Sequence, residues 1–89
     1  MIRDNPSRHR YETEVDGHVA YVVYRRESGV ITFVHTEVPK ELSGRGVGTA
    51  LARHVLETAR AEGLKVVPMC PFIAAWMKKH PEFDDLRHG

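Results

Sequence analysis

The chain has a single cysteine, Cys70, in 89 residues, so neither an intrachain disulfide nor a zinc site built on paired thiolates can form. No uninterrupted apolar run approaches the ~20 residues a bilayer span requires, which argues against a membrane partner. Residues 1–6 carry no apolar stretch after their basic residue and do not read as a secretory signal. Neither sign of charge is in excess: 13 Lys and Arg against 12 Asp and Glu leave +1, no field to gather nucleic acid. The local basic cluster of Arg3, Arg8, His9 and Arg10 reads as a solvated arm. Six histidines are present without a His-x-x-x-His pair, so no metal site is expected. A chain this short has no room for a second core. These absences together predict one cytoplasmic domain over residues 1–89, with 1–9 and 85–89 loosely held.

What is present is an ordinary core-forming composition, 42% hydrophobic and 28% charged. Residues 10–15 alternate, with Tyr11, Thr13 and Val15 on one side and Glu12 and Glu14 on the other, as a half-buried strand does. Asp16-Gly17 is a hairpin signal, and a second strand over 18–26 is dense in Val19, Tyr21, Val22, Val23 and Tyr24. Ser28-Gly29 turns the chain again into a third strand over 30–38. Pro39 stops that strand, because a central ladder needs the N–H it lacks. A helix is predicted over 45–63: at about 100° per residue, Gly48, Leu51, Ala52, Val55 and Ala59 make one stripe, His54 falls off it as an exposed residue, and Gly63 caps the end. Residues 64–68 form a short apolar strand, expected to pair parallel with the third. Pro71 opens a second helix that Pro81 ends, and 82–89 reads as a polar tail. Tyr21, Tyr24 and Trp76 are assigned to the core. The predicted class is α+β, in the order β-β-β-α-β-α: an antiparallel meander extended by one parallel strand, with helices on the sheet.

The glycine-rich segment Ser43, Gly44, Arg45, Gly46, Val47, Gly48, Thr49 falls where a strand hands over to a helix. Backbone N–H groups there lack intrahelical partners, the helix dipole is positive, and glycines admit a phosphate close to the backbone. A tight turn with no ligand is the structural alternative. No Lys-Ser/Thr follows Gly48, so a phosphate loop of the Walker kind fits poorly, and the next strand ends Val66-Val67-Pro68 without the acid a dinucleotide site uses.

Gly46-x-Gly48 after a strand and before a long helix resembles the end of the Arg/Gln-x-x-Gly-x-Gly/Ala motif of GNAT acetyltransferases. Three further segments share the resemblance: His35-Thr36-Glu37-Val38-Pro39, then Val66-Val67-Pro68-Met69-Cys70-Pro71-Phe72, then His80-Pro81-Glu82-Phe83. Together they are similar to small single-domain GNAT-like proteins over residues 10–86. The resemblance implies acetyl-coenzyme A as cosubstrate, with its pyrophosphate on 43–49, and an amine of unidentified kind as acceptor. Ser43 stands where the wider family has Arg or Gln, which shifts the charged contact towards Arg45. The family's acceptor pocket is usually built by helices and strands for which this chain has no room. A non-catalytic coenzyme sensor or carrier is therefore the alternative to an N-acetyltransferase, and a ligand-free interaction domain the third reading.

Carried onto this sequence, the family's geometry puts the thioester where the third and fourth strands part. Val38 offers a backbone N–H to the acetyl carbonyl. His35 is the candidate base near neutral pH, with Glu37 on the same strand face, and Cys70, ahead of a helix start, is the candidate thiolate. His35 and Cys70 are expected to approach the acetyl group from the two sides of the opening. Each also has a bland reading, as a satisfied strand histidine and a small buried hydrophobe. Lys78 and Lys79 read as a solvated face within reach of the adenosine 3′-phosphate.

Overall fold

The computed structural model describes residues 1–88; Gly89, part of the tail expected to be loose, lies outside the described residues. Strands β1 (Arg3–Asn5), β2 (Arg10–Val15), β3 (His18–Glu27), β4 (Val30–Glu37) and β5 (Lys65–Pro68) form one sheet in sequence order, antiparallel except for the parallel β4–β5 pair. Helices α1 (Val47–Ala61) and α2 (Pro71–Lys78) follow β4 and β5. The α+β class and the meander with one added parallel strand are as the periodicity indicates.

The extra strand is β1, where a solvated arm was expected. Three polar residues carry no alternation to betray a strand, and side-chain chemistry holds them in place. Asn5 donates to the Glu12 carboxylate at 3.2 Å, Arg3 lies 3.6 Å from it, and the Tyr24 hydroxyl donates to Asp4. The polar tail is likewise ordered: Pro81–Leu86 is a 3-10 helix that buries Phe83 and Leu86, and the His88 N–H reaches the Val66 carbonyl at 2.9 Å. Two apolar residues three apart match the three-residue turn of a 3-10 helix, a spacing a polar stretch conceals.

Both helices pack on one face of the sheet. Ala20, Val22 and Tyr24 from β3 and Ile31 and Phe33 from β4 are buried beneath Leu51, Ala52, Val55, Leu56 and Ala59 of α1 and Ile73, Trp76 and Met77 of α2. His54 is half-buried, its ring edge-on to Tyr11 at 6.0 Å, a correction to its expected exposure. Among the described residues no helix covers the other face. There the expected core residue Tyr21 is only half-buried, with the Arg10 guanidinium 4.3 Å above its ring, and Val19 is exposed.

One irregularity sets which side chains reach which face. Val23 pairs with His35 but Tyr24 pairs with Phe33, so Val34 is an extra residue in β4, a bulge. Before it, Ile31 and Phe33 point to the helices; after it, Thr36 does, and His35 and Glu37 lie on the bare face.

Candidate functional site

β4 and β5 are paired from Val30 opposite Lys65 to Phe33 opposite Pro68, and a last bond joins the Cys70 N–H to the Phe33 carbonyl at 2.9 Å. There the chain leaves β5 for α2, while β4 runs on to Glu37. The two strands therefore part after Phe33. Over the opening lies a groove of about 500 Å³, lined by Val38, Lys40 and Leu42, by Ser43 to Gly44 and Gly46 to Thr49, and by Phe72.

The floor of this groove is the start of α1. Gly46 precedes the helix at φ 74°, a left-handed conformation that costs an L-residue roughly 1–2 kcal/mol and glycine almost nothing. No side chain caps the end, and the first intrahelical bond runs from the Ala50 N–H to the Gly46 carbonyl. The N–H groups of Val47, Gly48 and Thr49 are thus left without partners among the described residues, at the positive end of a 15-residue helix. This is what an anion needs. Gly48 has a second reason to be glycine: a Cβ there would stand 3.0 Å from the Phe72 ring.

Of the residues assigned to the coenzyme, Val38, Ser43, Gly44, Gly46, Val47, Gly48 and Thr49 line the groove, and Arg45 does not. Its guanidinium is paired with Asp16 at the tip of the β2–β3 hairpin. The side-chain cation in the groove is instead Lys40, which the sequence reading passed over because it lies upstream of the glycines, in a 3-10 turn over Lys40–Leu42. Burial of Leu42 pins that turn beside the helix start.

His35, Glu37 and Cys70 do not form one cluster. His35 Nε2 and Glu37 Oε1 are 3.1 Å apart on the bare face, both side chains more than half exposed, with the Tyr21 ring 6.4 Å from the imidazole. Cys70 is buried on the helix side, its Sγ 3.1 Å from Thr36 Oγ1. The bulge at Val34 is the physical reason, since it shifts the alternation by one after Phe33 and so leaves Thr36, rather than His35, on the helix side towards the thiol. Thr36 is a polar neighbour of the opening that strict alternation gave no cause to single out.

Other polar clusters serve the fold. Burial and the neighbouring Asp4 carboxylate raise the Tyr24 phenol above its ordinary range, and burial raises that of Tyr11 despite the Arg26 hydrogen bond. These groups tie β1 and β3 to the far end of α1 through Arg26 and Glu62, 2.7 Å apart. A depression of about 240 Å³ is lined by Met1, Arg3, Glu12, Thr13, Glu14 and Val19; its Glu12 is already paired with Arg10, which holds the carboxyl below the usual carboxylate range. No helix of the described residues is long and apolar enough to cross a membrane.

A family model described as GCN5-related N-acetyl-transferase matches residues 10–86. The protein NATD1 of Gallus gallus is 34% identical over 59 residues, 66% of this chain and 54% of NATD1, so the chain spans about half the length of that curated relative. The solution structure of a GCN5-like putative N-acetyltransferase from Staphylococcus aureus superposes with a TM-score of 0.76 at 28% identity, covering 100% of this chain and 88% of that one.

Proposed function

Because the chain belongs to the GCN5-related N-acetyltransferase family, we propose that it binds acetyl-coenzyme A in the groove at the start of α1 and transfers the acetyl group to an amine. The observation that carries this reading is the set of partnerless amides at Val47, Gly48 and Thr49 facing a groove that also holds Lys40. Those donors suit a pyrophosphate. The residues present fit the coenzyme's charged part, and the parting of β4 from β5 gives its thiol-bearing arm a strand edge to follow.

In the chemistry we assign, an amine nitrogen attacks the acetyl carbonyl carbon, the carbon–sulfur bond breaks, and the coenzyme leaves as its thiolate. Val38 offers a backbone N–H to the carbonyl oxygen, where charge develops. His35 takes the proton from the amine. With its Nε2 donating to the Glu37 carboxylate, the imidazole is held as the tautomer whose Nδ1 is free to accept. Cys70 and Thr36 bound the opening from the helix side, and Cys70 Sγ is the alternative first acceptor, which would make the transfer covalent.

Binding without turnover is the second reading. It is favoured by one observation: His35 and Glu37 are both more than half exposed, on a sheet face that no helix among the described residues covers. Calorimetric titration with acetyl-coenzyme A, followed by turnover against a panel of amines, separates the two. We expect saturable binding, turnover that His35→Gln slows at pH 7 with affinity unchanged, and no acetyl adduct lost from intact mass in Cys70→Ser unless the route is covalent. Absence of acetyl-coenzyme A binding to the folded protein overturns the proposal, and binding without turnover on any amine leaves the sensor or carrier.

A further inference from the structure

The strands of the sheet are not written alike. β2 alternates, with Tyr11, Thr13 and Val15 towards the helices and Glu12 and Glu14 outward, the pattern of a strand with one face in water. β3 and β4 do not: Val19-Ala20-Tyr21-Val22-Val23-Tyr24 and Val30-Ile31-Thr32-Phe33-Val34 are apolar or aromatic at nearly every position, and β5 carries Val66-Val67-Pro68. Runs of that kind belong to strands covered on both faces. Among the described residues the helices cover only one of them. On the other, Val23, Thr32 and Val67 are half-buried and make an apolar stripe across β3, β4 and β5.

The charges of that face lie at its two ends. By register, Arg25 stands beside Thr32 and Lys65 beside Val30, at the end where β5 begins, with Glu27 for company. At the opposite end Glu37 stands beside Tyr21 and Glu14 beside Val19. Glu12, next to Tyr21, is already neutralised by Arg10 and Arg3, at 2.7 and 3.6 Å. Half a turn about an axis through the stripe therefore lays the basic end of one copy over the acidic end of another. The extent also suits. With strands about 4.8 Å apart and about 3.3 Å per residue, the sheet has a footprint on the order of 500 Å², which the relief of its side chains carries towards the ~600 Å² per partner at which stable interfaces begin.

We infer that the uncovered face pairs two copies of this chain, sheet against sheet about a two-fold axis. The apolar stripes meet at the centre, and Arg25 and Lys65 of each copy face Glu37 and Glu14 of the other. This pairing stands apart from the coenzyme groove at the start of α1, and either can fail without the other. It touches the chemistry at one point: the second copy supplies a wall beside His35 and Glu37, which a single chain leaves more than half exposed.

Sedimentation equilibrium of the full chain over a concentration series is the test. We expect a reversible dimer, which Thr32→Lys, at the centre of the stripe, should weaken by about tenfold or more with an unchanged circular dichroism spectrum. Charge reversal asks the same question at exposed positions, where folding is not at stake. Arg25→Glu with Lys65→Glu, and Glu14→Lys with Glu37→Lys, should each give a protein that stays monomeric alone. Mixing the two should restore a dimer with one copy of each. A wild-type chain still monomeric at about 1 mM overturns the inference, and so does a dimer that survives either Thr32→Lys or the reversals, because its interface then lies elsewhere. Reversed proteins that remain monomers when mixed also overturn it, since the ends then do not meet.

Discussion

The two ends of α1 are finished in opposite ways. At the C-terminus, Glu62 ends the helix and Gly63 at φ 70° turns the chain so that its N–H reaches the Arg60 carbonyl at 3.1 Å and the Leu64 N–H reaches Ala59 at 2.9 Å. This is the Schellman arrangement, which satisfies the last carbonyls locally. Arg60 adds a fork onto the Asp85 carboxylate at 2.8 and 3.0 Å and a bond to the Glu82 carbonyl at 2.7 Å. At the N-terminus Gly46 has nearly the same φ, 74°, yet among the described residues nothing satisfies the first amides. One left-handed glycine closes a helix and the other opens one. A Ser, Thr, Asp or Asn cap in extended backbone would have satisfied one of those amides, but the left-handed backbone at position 46 suits glycine instead. The open end is where the proposed coenzyme site lies, and the closed end has no such role to serve.

Leu51→Ala should have the largest effect and blur the comparison, because Leu51 is fully buried in the body of the helix that both ends share. We expect a loss of about 2–5 kcal/mol in chemical denaturation, enough to lower the melting temperature by ~10 °C or more. A value under about 0.5 kcal/mol would mean that the wrong face of α1 has been turned inward. The comparison is sharpened by placing the same residue at each end. Gly46→Val and Gly63→Val both force a β-branched side chain into left-handed backbone where a Cβ has open space, so each should cost about 1–3 kcal/mol of stability. Only Gly46→Val should also weaken acetyl-coenzyme A, by about 100-fold, which is about 2.7 kcal/mol. Equal affinities in the two folded variants would remove the ligand from the helix start. The smallest effect is at the closed end. The Arg60 hydrogen bond holds the Asp85 carboxyl below its ordinary 3.8, so the pair stabilises the fold above that pH and loses its contribution as pH falls through the lower folded value. The stability difference between wild type and Arg60→Ala should therefore be flat near neutrality and close below pH 3.8, with acetyl-coenzyme A affinity untouched at either pH.

The same contrast separates what could be read in the sequence from what could not. Gly63, the apolar stripe of α1, the Asp16-Gly17 hairpin and the parallel β5 are local or periodic signals, and each stands where its chemistry puts it. The groove's glycines are legible for the same reason. Arg45 is not, because whether a surface arginine turns to a ligand or to Asp16, 29 positions away, depends on where the hairpin tip lies. Lys40 enters the groove only because Leu42 is buried beside the helix start. β1 is held by Asn5, Asp4 and Arg3 acting on residues of β2 and β3, and no period of two or three records such bonds. The separation of His35 from Cys70 hangs on Val34, a residue no different in composition from its neighbours.

Val34 also gives β4 something like a reading frame. A strand assigns faces by odd and even position, and one extra residue shifts every position downstream by one. Had β4 run in strict register from Phe33, His35 and Glu37 would have followed Phe33 to the helix side with Cys70, and Thr36 would have faced outward. A deletion of Val34 would leave every side chain on its present face and remove only the local bend, whereas an insertion of one residue beyond a bulge that stays in place would exchange the two faces of everything up to Glu37. The consequence of a length change at that point is thus decided by whether the bulge persists, because the bulge and not the length alone sets which chemistry each side of the sheet presents.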